Sequence, residues 1–276
     1  GSLDFVDIIT NVETHAAYTM MAARHKVPVI CQKPMAPSRA ACRHMVAACA
    51  RAGVPLFIHD NWRWQAPVRA VHAALRQGVI GRPFRARITY ANSFPVFVNQ
   101  PFLAELEQFI VMDMGTHILD VVRCLFGEAH AVYCRTASIT RGIKGDDVAT
   151  LLLAMCNGLH CTVELSYASP VEHDRFPEVY MMIEGERGAL ALGPDYYLHT
   201  TVDGATTRRR VPPPQYAWAD PAYALVHASI VEANRDFLRA LRGRGRAETT
   251  GADYRKTMEL VFAAYDSARR NAVVKV

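Results

Sequence analysis

The sequence predicts an α/β protein in which a partial, doubly wound domain precedes an α+β domain with a mostly antiparallel, open sheet. Within residues 5–59, short β-branched runs alternate with longer helical periods, which is typical of parallel strands joined by helices. Farther along, short strands are separated by hairpin signals such as Asn157-Gly158. Long helical segments are expected to cover one face of this second sheet. We therefore predict domains over 1–82 and 83–276, with the last helix packing back on the first domain.

The first domain alternates strands and helices in a βαβαβ order, which is one half of a Rossmann-like dinucleotide-binding domain. The other half of such a domain carries the Gly-x-Gly-x-x-Gly turn that holds phosphates, and no strand and helix here flank one. The chain is thus expected to begin midway through that domain and, by itself, to bind dinucleotide weakly. The sequence leaves open whether the first half is deleted or lies upstream of Gly1. Predicted strands are 5–10, 27–31 and 54–59, and predicted helices are 13–26, 38–52 and 67–77.

The second domain is predicted to self-associate through its sheet. The strands at 151–155 and 180–183 are apolar at successive positions, whereas a solvated sheet face alternates with polar residues. One face meets the helices, so we expect the other to meet a second copy in a homo-oligomer, a dimer or a tetramer. Predicted strands are 84–91, 131–138, 148–154, 160–167, 179–184 and 189–192, and predicted helices are 115–126, 222–241 and 252–271.

Composition places the chain among ordinary globular proteins, with 276 residues, 51% of them hydrophobic and 21% charged. No apolar run approaches the roughly 18 residues that span a bilayer, and the N-terminal residues lack a signal-peptide pattern. The expected location is therefore cytoplasmic, without a membrane partner. The 7 cysteines contain no Cys-x-x-Cys pair and are expected to be buried thiols.

The net charge of +5 does not indicate a nucleic-acid partner. The dense basic runs, 208–210 and 242–246, are not interleaved with aromatic residues as a single-strand binding groove would be. They are predicted to be solvated residues in turns or at helix ends. The histidines outside the candidate site have no partners at metal-ligand spacing, so no metal is expected.

Three side chains with complementary chemistry form the candidate catalytic site. Lys33 lies at the end of a predicted strand, where open α/β sheets bind their ligands. Asp113 and His117 are four residues apart and would be neighbours along the edge of an apolar helix stripe. A cation, a carboxylate and an imidazole suit hydride transfer from a secondary alcohol, because the hydroxyl proton must leave as well. Taken locally, the same residues also suit a turn lysine, an N-cap aspartate and a core histidine.

Several short motifs occur in an order and spacing that extend over nearly the whole chain. They are Val6-Asp7-Ile8-Ile9-Thr10 leading to His15, Gln32-Lys33-Pro34, Asn61-Trp62-Arg63, Gly78-Val79-Ile80-Gly81, Asp113-Met114-Gly115-Thr116-His117, Ile183-Glu184-Gly185-Glu186-Arg187-Gly188-Ala189-Leu190 and Ala263-Ala264-Tyr265-Asp266-Ser267-Ala268. Together they resemble the C-terminal part of the glucose-fructose oxidoreductase, inositol dehydrogenase and rhizopine-catabolism (Gfo/Idh/MocA) oxidoreductase family.

The resemblance implies a role for each catalytic candidate. Lys33 would lie beside the nicotinamide and donate a hydrogen bond to the reacting hydroxyl, which supports a developing alkoxide. His117 would act as the general base, and Asp113 would align His117 or bind a substrate hydroxyl. In the family, the position of Gln32 is usually a glutamate and that of Asn11 is often a proline. Both departures alter the polar groups that face the cofactor ribose.

The resemblance also implies which residues contact NAD or NADP. Thr10, Asn11 and His15 occupy a strand-to-helix turn that in the family packs against the nicotinamide ribose and amide. Gln32 and Lys33 follow the next strand. Asn61 and Arg63 follow the third, and for these two a structural hydrogen bond is an equally good interpretation. The cofactor-binding candidates are thus Thr10, Asn11, His15, Gln32, Lys33, Asn61 and Arg63.

The function predicted from these residues and the resemblance is an NAD(P)-dependent oxidoreductase. It would transfer a hydride between nicotinamide and a secondary alcohol of a sugar, cyclitol or polyol. One alternative is an NAD-assisted glycoside hydrolase or lyase, which net cofactor turnover would distinguish. Another is a non-catalytic ligand sensor on the same fold. The sequence distinguishes neither NAD from NADP nor one polyol from another.

Overall fold

The computed structural model describes residues 3–276, which form a small parallel sheet and a large mixed sheet joined by long helices. The small sheet has the order β1-β2-β3, and the carboxyl ends of its parallel strands lie along one edge. This confirms the predicted βαβαβ pattern. The elements of this region are β1 (Val6–Ile8), α1 (Val12–Arg24), β2 (Val29–Gln32), α2 (Arg39–Ala52), β3 (Leu56–His59) and α3 (Ala66–Arg76).

The large sheet has the order β11-β10-β9-β8-β4-β7-β6-β5-β12, in which β4 and β7 pair in parallel and the other described neighbours are antiparallel. The predicted open, mostly antiparallel sheet is therefore confirmed. Its elements are β4 (Pro83–Ala91), α4 (Val96–Asn99), α5 (Thr116–Phe126), β5 (Ala129–Ala137), β6 (Val148–Met155), β7 (His160–Ser166), β8 (Tyr180–Gly185), β9 (Gly188–Leu192), β10 (Tyr197–Val202), β11 (Ala205–Arg210), α6 (Ala224–Leu241), α7 (Gly251–Arg270) and β12 (Val274–Lys275).

Long helices cover both faces of the small sheet. Helices α1, α2 and α7 pack on one face, and α6 packs on the other. Phe237 of α6 stacks on Phe57 of β3 with ring centroids 5.2 Å apart. The prediction that the helix over 222–241 covers the antiparallel sheet is thus wrong, because Phe237 and Ala233 complete the core around Phe57 and Ile30.

Helix α7 belongs to both cores. Tyr254 and Met258, near its beginning, are buried with residues of the small sheet, whereas Leu260 and Val261 are buried with residues of the large one. Helix α3 also packs with the second core, through Val68 and Val71. The packing therefore crosses the chain division drawn at residue 82, and α7 connects the two regions across the candidate site.

The arginine run over 208–210 lies in an edge strand, β11, rather than in a turn or at a helix end as predicted. All residues of β11 are exposed, so the strand shows no apolar face by which its sequence could be recognised. Arg208 lies over the ring of Tyr197 on β10, with its guanidinium carbon 3.5 Å from the ring centroid. Charged side chains on an edge strand also disfavour pairing with foreign strands.

The open face of the large sheet is mixed in character. Leu152 and Met182 are 52% and 40% exposed there, while Leu151, Leu153 and Ile183 point into the core. Cross-strand pairing places Leu152 next to Thr162, Thr162 next to Arg87, and Arg87 next to Met182. The face therefore carries separate apolar side chains with polar residues between them.

Five of the cysteines are buried thiols, as predicted, but Cys124 is half-buried and Cys156 is exposed at the hairpin after β6. Burial raises the pKa of Cys31 to about 12, which makes this thiol inert at neutral pH. Within residues 3–276, none of the helices is long and apolar enough to cross a membrane.

Candidate active site

The candidate site lies where the carboxyl edge of the small sheet meets the segment before α5. Lys33 directly follows β2, and Asp60 directly follows β3. Lys33 donates from Nζ to Asp113 Oδ1 at 2.7 Å and to the Asp113 carbonyl at 3.3 Å. The two side chains are 20% and 21% exposed. An ion pair between the two sheet regions therefore borders the open part of the site.

Asp113 and His117 do not lie on one regular helix. Asp113 is within a π-helical turn over Val111–Gly115, and His117 is in the first turn of α5. The Thr116 hydroxyl donates to the Asp113 carbonyl at 2.7 Å. The wider turn changes the direction in which Asp113 projects, so the i, i+4 spacing does not produce the expected pairing of the two side chains. Asp113 pairs with Lys33, and His117 has a different carboxylate partner.

That partner is Asp60. Its Oδ1 lies 2.7 Å from Nδ1 of His117, and both side chains are buried. Asp60 also accepts from the Tyr254 hydroxyl at 2.7 Å and from the Trp62 N–H at 3.3 Å. Burial raises the pKa of Asp60, but His117, Tyr254 and Trp62 together outweigh this effect and lower it to about 2. Asp60 is therefore an ionised acceptor for His117.

The His117 ring stacks on the indole of Trp62, with ring centroids 4.8 Å apart and an interplanar angle of 17°. Trp62 itself is buried and contacts Tyr90 edge-on. Nδ1 of His117 is hydrogen-bonded to Asp60, and Trp62 covers one face of the ring. Nε2 is therefore the ring nitrogen that remains available to a ligand.

Asp113 is held ionised by its neighbours. Burial raises its pKa, but Lys33 and, to a smaller extent, His117 and the Tyr167 hydroxyl bring it below the ordinary value. Tyr167 donates to Asp113 Oδ2 at 3.1 Å. Its ring is buried beside Phe109 and Tyr90 at the end of β7. The carboxylate thus has one oxygen on Lys33 and the other on Tyr167.

Sequence reasoning missed Asp60, Tyr167 and Tyr254. Asp60 had a usable signal, because it directly follows β3 at the same sheet edge as Lys33. Tyr167 follows β7, and its approach to Asp113 depends on the pairing of β7 with β4, which the sequence does not specify. Tyr254 reaches the site from α7, far along the chain. Its contact with Asp60 follows from the tertiary packing.

Among the residues predicted to contact the cofactor, those nearest the strand ends are accessible to solvent. Thr10 and Asn11 are exposed after β1, and Thr10 shares a hydrogen bond of 2.7 Å with Thr14. The Asn11 side chain, at the N-cap position of α1, makes no capping bond to that helix. Gln32 is half-buried and accepts from the Lys33 N–H at 3.2 Å through Oε1.

His15 has a structural position. It is buried, with Nδ1 3.1 Å from the Pro34 carbonyl and Nε2 3.0 Å from the Thr10 carbonyl. Both ring nitrogens are therefore engaged within the protein. His15 joins the turn after β1 to the turn after β2, so it shapes the strand-end crevice rather than offering a hydrogen bond to a cofactor.

Asn61 and Arg63 are likewise occupied by internal partners. Asn61 donates to the Ser229 hydroxyl at 2.6 Å. Arg63 is buried and makes two hydrogen bonds to Asp120, at 2.7 and 2.6 Å. In place of the expected cofactor contacts, the structure gives both side chains structural hydrogen bonds, because each is drawn inward to a buried partner on a helix.

The accessible residues fit a nicotinamide ribose. Thr10, Asn11 and Gln32 supply hydroxyl and amide groups along one edge, where a ribose and a carboxamide require both donors and acceptors. Lys33 and Asp113 lie beside them with a fifth of each side chain exposed. Lys33 Nζ and the Asp113 carboxylate thus supply a cation and an anion next to this edge.

Residues 1–59 match the oxidoreductase family described as having an NAD-binding Rossmann fold, and residues 68–191 match the C-terminal domain of the same Gfo/Idh/MocA group. The chain is 44% identical over 275 residues to D-apiose dehydrogenase from Paraburkholderia graminis, covering 99% of this chain and 73% of that protein. It is 41% identical over 276 residues to D-apiose dehydrogenase from Rhizobium rhizogenes, covering 100% of this chain and 80% of the relative.

The fold also matches the crystal structure of an oxidoreductase from Agrobacterium radiobacter in complex with NAD+, L-tartaric acid and magnesium. The TM-score is 0.97 at 41% sequence identity, and the match covers 100% of this chain and 80% of that one. The arrangement of the two sheets and of the helices between them is therefore that of a known ligand-binding oxidoreductase fold.

Proposed function

The chain belongs to the Gfo/Idh/MocA oxidoreductase family, and we propose that it is an NAD-dependent dehydrogenase of D-apiose or of a sugar of similar size. It is an oxidoreductase with an NAD-binding domain that acts on sugars. The choice of apiose rests on two D-apiose dehydrogenases that are 44% and 41% identical to it. The choice of NAD over NADP rests on the NAD+ complex of the related structure.

The observation that carries the proposal is the joint position of Lys33 Nζ, the Asp113 carboxylate and the free Nε2 of His117. Oxidation of a secondary alcohol breaks a C–H bond and an O–H bond and leaves a carbonyl. A nicotinamide bound at the strand-end edge supplies the hydride acceptor. His117 Nε2 takes the hydroxyl proton, and Lys33 Nζ donates a hydrogen bond to the oxygen as negative charge develops on it. Asp113 orients Lys33 through their 2.7 Å ion pair.

Four chain residues serve the cofactor in this proposal. Thr10 and Asn11 would hold the nicotinamide ribose from the turn after β1. Gln32 and Lys33 would hold it from the turn after β2. His15 acts indirectly, since its ring lies between the carbonyls of Thr10 and Pro34 and so sets the separation of the two turns. Replacing Gln32 by glutamate should therefore alter NAD affinity more than replacing His44, which is exposed on α2.

The chemistry of apiose limits the possible products. The branched ring carbon bears no hydrogen, so among the ring carbons with hydroxyl groups a hydride can leave only from the anomeric carbon or its neighbour. The first gives a lactone and the second a ketone. Hydrolysis of a lactone releases acid, which distinguishes the two products without any assumption about the orientation of the sugar.

The function is tested by following NADH absorbance with D-apiose, a panel of aldopentoses, and myo-inositol. Because this chain covers 73% and 80% of the two relatives, the assay uses protein that spans their full length. We expect stoichiometric NADH formation with apiose as the best substrate and NAD preferred over NADP. Product formation without net NADH would indicate the hydrolase or lyase mechanism instead. Binding of apiose without any product would indicate a sensor.

We further propose that the open face of the large sheet forms a homo-oligomer interface. Leu152 and Met182 are exposed on neighbouring parts of this face, and Arg87 and Thr162 between them can pair with a second polar surface. Two-fold symmetry would allow the same face to serve both copies.

Replacing Leu152 and Met182 together by glutamate should convert the oligomer to monomer, because it places buried like charges across the interface. Analytical ultracentrifugation at micromolar concentration measures the change. Val98→Glu is the matched control, because Val98 is 79% exposed but lies on α4, away from this face. A wild-type protein that sediments as a monomer would contradict the proposal.

A further inference from the structure

We propose that Asp60 is a positioning residue for the reaction: it holds the imidazole of His117 with the proton on Nδ1, so that Nε2 is the basic nitrogen. Tyr254 of α7 holds Asp60 in turn. The inference rests on the proposed function in that His117 is taken as the base. It adds a residue that was absent from the sequence-based catalytic set.

The donors and acceptors around Asp60 determine the direction of each of its hydrogen bonds. An ionised carboxylate only accepts, so Nδ1 of His117 is the donor across the 2.7 Å contact to Asp60 Oδ1. Tyr254 donates to Oδ2, and the Trp62 N–H donates to Oδ1. The carboxylate is fully buried, and three donors surround it. With this acceptor on its Nδ1 side, the tautomer of His117 is determined by its surroundings.

Packing fixes the orientation of the ring as well. Trp62 is stacked on one face of His117, at 4.8 Å between centroids. A half-turn of the imidazole about its Cβ–Cγ bond would place Cδ2 against Asp60 in place of Nδ1, and would exchange the positions of Nε2 and Cε1. The short contact from Nδ1 to Asp60 opposes that half-turn. Asp60 therefore controls both which nitrogen carries the proton and where the free nitrogen points.

The charges around the Asp60–His117 pair leave the negative charge of Asp60 available to the imidazole during turnover. The charged or titratable groups around the pair are Asp60, Asp113, Asp120 and Tyr254. Asp120 is paired with Arg63, and Asp113 is paired with Lys33. Asp60 is therefore the carboxylate without a cationic partner of its own until His117 accepts the substrate proton. Its negative charge stabilises the imidazolium at that stage.

The helix α7 connects this pair to the junction of the two sheets. Tyr254 lies one helical turn from Thr257, which donates to Asp120 at 3.1 Å, and close to Asp253, which contacts Arg63 and Arg123. These contacts fix α7 against α5 and against the turn after β3. The position of Asp60 thus depends on the same buried ion pairs that connect the two regions of the protein.

The test compares Asp60→Asn with wild type on apiose. We expect turnover to fall by about 10² to 10⁴, because an asparagine can offer its NH₂ to Nδ1 and so favour the tautomer with the proton on Nε2. The acid limb of the turnover profile should move to lower pH, because the proton on His117 then has no adjacent negative charge. NAD affinity should change little. A simple loss of packing would not produce this shift in the pH profile.

Tyr254→Phe provides a second variant that removes one donor from Asp60 and leaves the contact to His117 intact. We expect a smaller loss of turnover, about threefold to thirtyfold, because one hydrogen bond to a carboxylate is lost. This variant keeps the test informative if Asp60→Asn does not fold.

Asp146→Asn is the matched control. Asp146 is also a buried aspartate that accepts one backbone N–H, from Phe109, and one tyrosine hydroxyl from α7, that of Tyr265, but no histidine contacts it. Burial raises the pKa of Asp146. The control should lower stability without moving the pH profile.

The tautomer of His117 can also be measured directly, without an activity assay. Nitrogen-15 correlation spectra of the imidazoles, with His117 assigned by its loss in His117→Gln, should show the proton on Nδ1 in wild type and on Nε2 in Asp60→Asn. The inference is overturned if His117 carries its proton on Nε2 in wild type, or if Asp60→Asn keeps wild-type turnover and pH profile. A wild-type protein inactive on every sugar would instead contradict the proposed function and leave the spectral result standing.

Discussion

Replacement of His117 by alanine is expected to lower apiose turnover by about 10² to 10⁴, which is the usual contribution of a positioned general base. The affinity for NAD should stay within about twofold of wild type, because His117 contacts Asp60 and Trp62 rather than the turns after β1 and β2. Steady-state kinetics and a separate NAD titration measure the two quantities.

The pH dependence of the same enzymes gives a second readout. A general base accepts the hydroxyl proton only in its unprotonated form, so wild-type turnover should show an acid limb. In His117→Ala this acid limb should disappear, leaving a flatter and lower profile. His44→Ala, an exposed histidine on α2, should reproduce the wild-type profile. A His117→Ala enzyme that retains wild-type turnover on a confirmed substrate would exclude His117 as the base.

The fold was predictable where local pattern and packing agree. The period-2 and period-3.6 runs of the first domain located each of its strands and helices to within a few residues, since each buries a continuous apolar face. Strands β10 and β11 were not recognised, because β11 is exposed on both faces and draws its order from pairing with β10. Edge strands of this kind have little hydrophobic signal.

The sequence identified the residues of the site better than it identified their interaction partners. Lys33 is placed by a strand end, and Asp113 and His117 by a motif, so all three could be identified from the chain. Their partners could not, because a π-helical turn alters the direction of Asp113, and Asp60 and Tyr254 approach from elements 57 and 137 residues away from His117. Arg63 shows the converse: its strand-end position suggested a ligand, but Asp120 on α5 provides a buried carboxylate within reach.

Lys33→Met is expected to lower turnover by about 10² to 10³, because methionine retains the length of the side chain but supplies no donor to the developing alkoxide. The variant should also change the acid stability of the protein. Lys33 is the foremost group that lowers the pKa of Asp113, so without it the folded-state pKa of this half-buried carboxyl rises. A lowered aspartate pKa stabilises the fold above the unfolded-state value, and that contribution is lost as pH falls through the lowered value.

The stabilisation by Asp113 should therefore disappear at a higher pH in Lys33→Met than in wild type. Melting temperatures between about pH 3 and about pH 6 measure this difference. Asp113→Asn should remove the same pH-dependent contribution, and it should lower turnover less than Lys33→Met because Lys33 still reaches the Asp113 backbone carbonyl, at 3.3 Å. Lys26→Met, an exposed lysine after α1, is the matched control and should alter neither quantity. Equal turnover in Lys33→Met and wild type would show that the oxygen is stabilised by another group, and the 2.7 Å ion pair would then be structural alone.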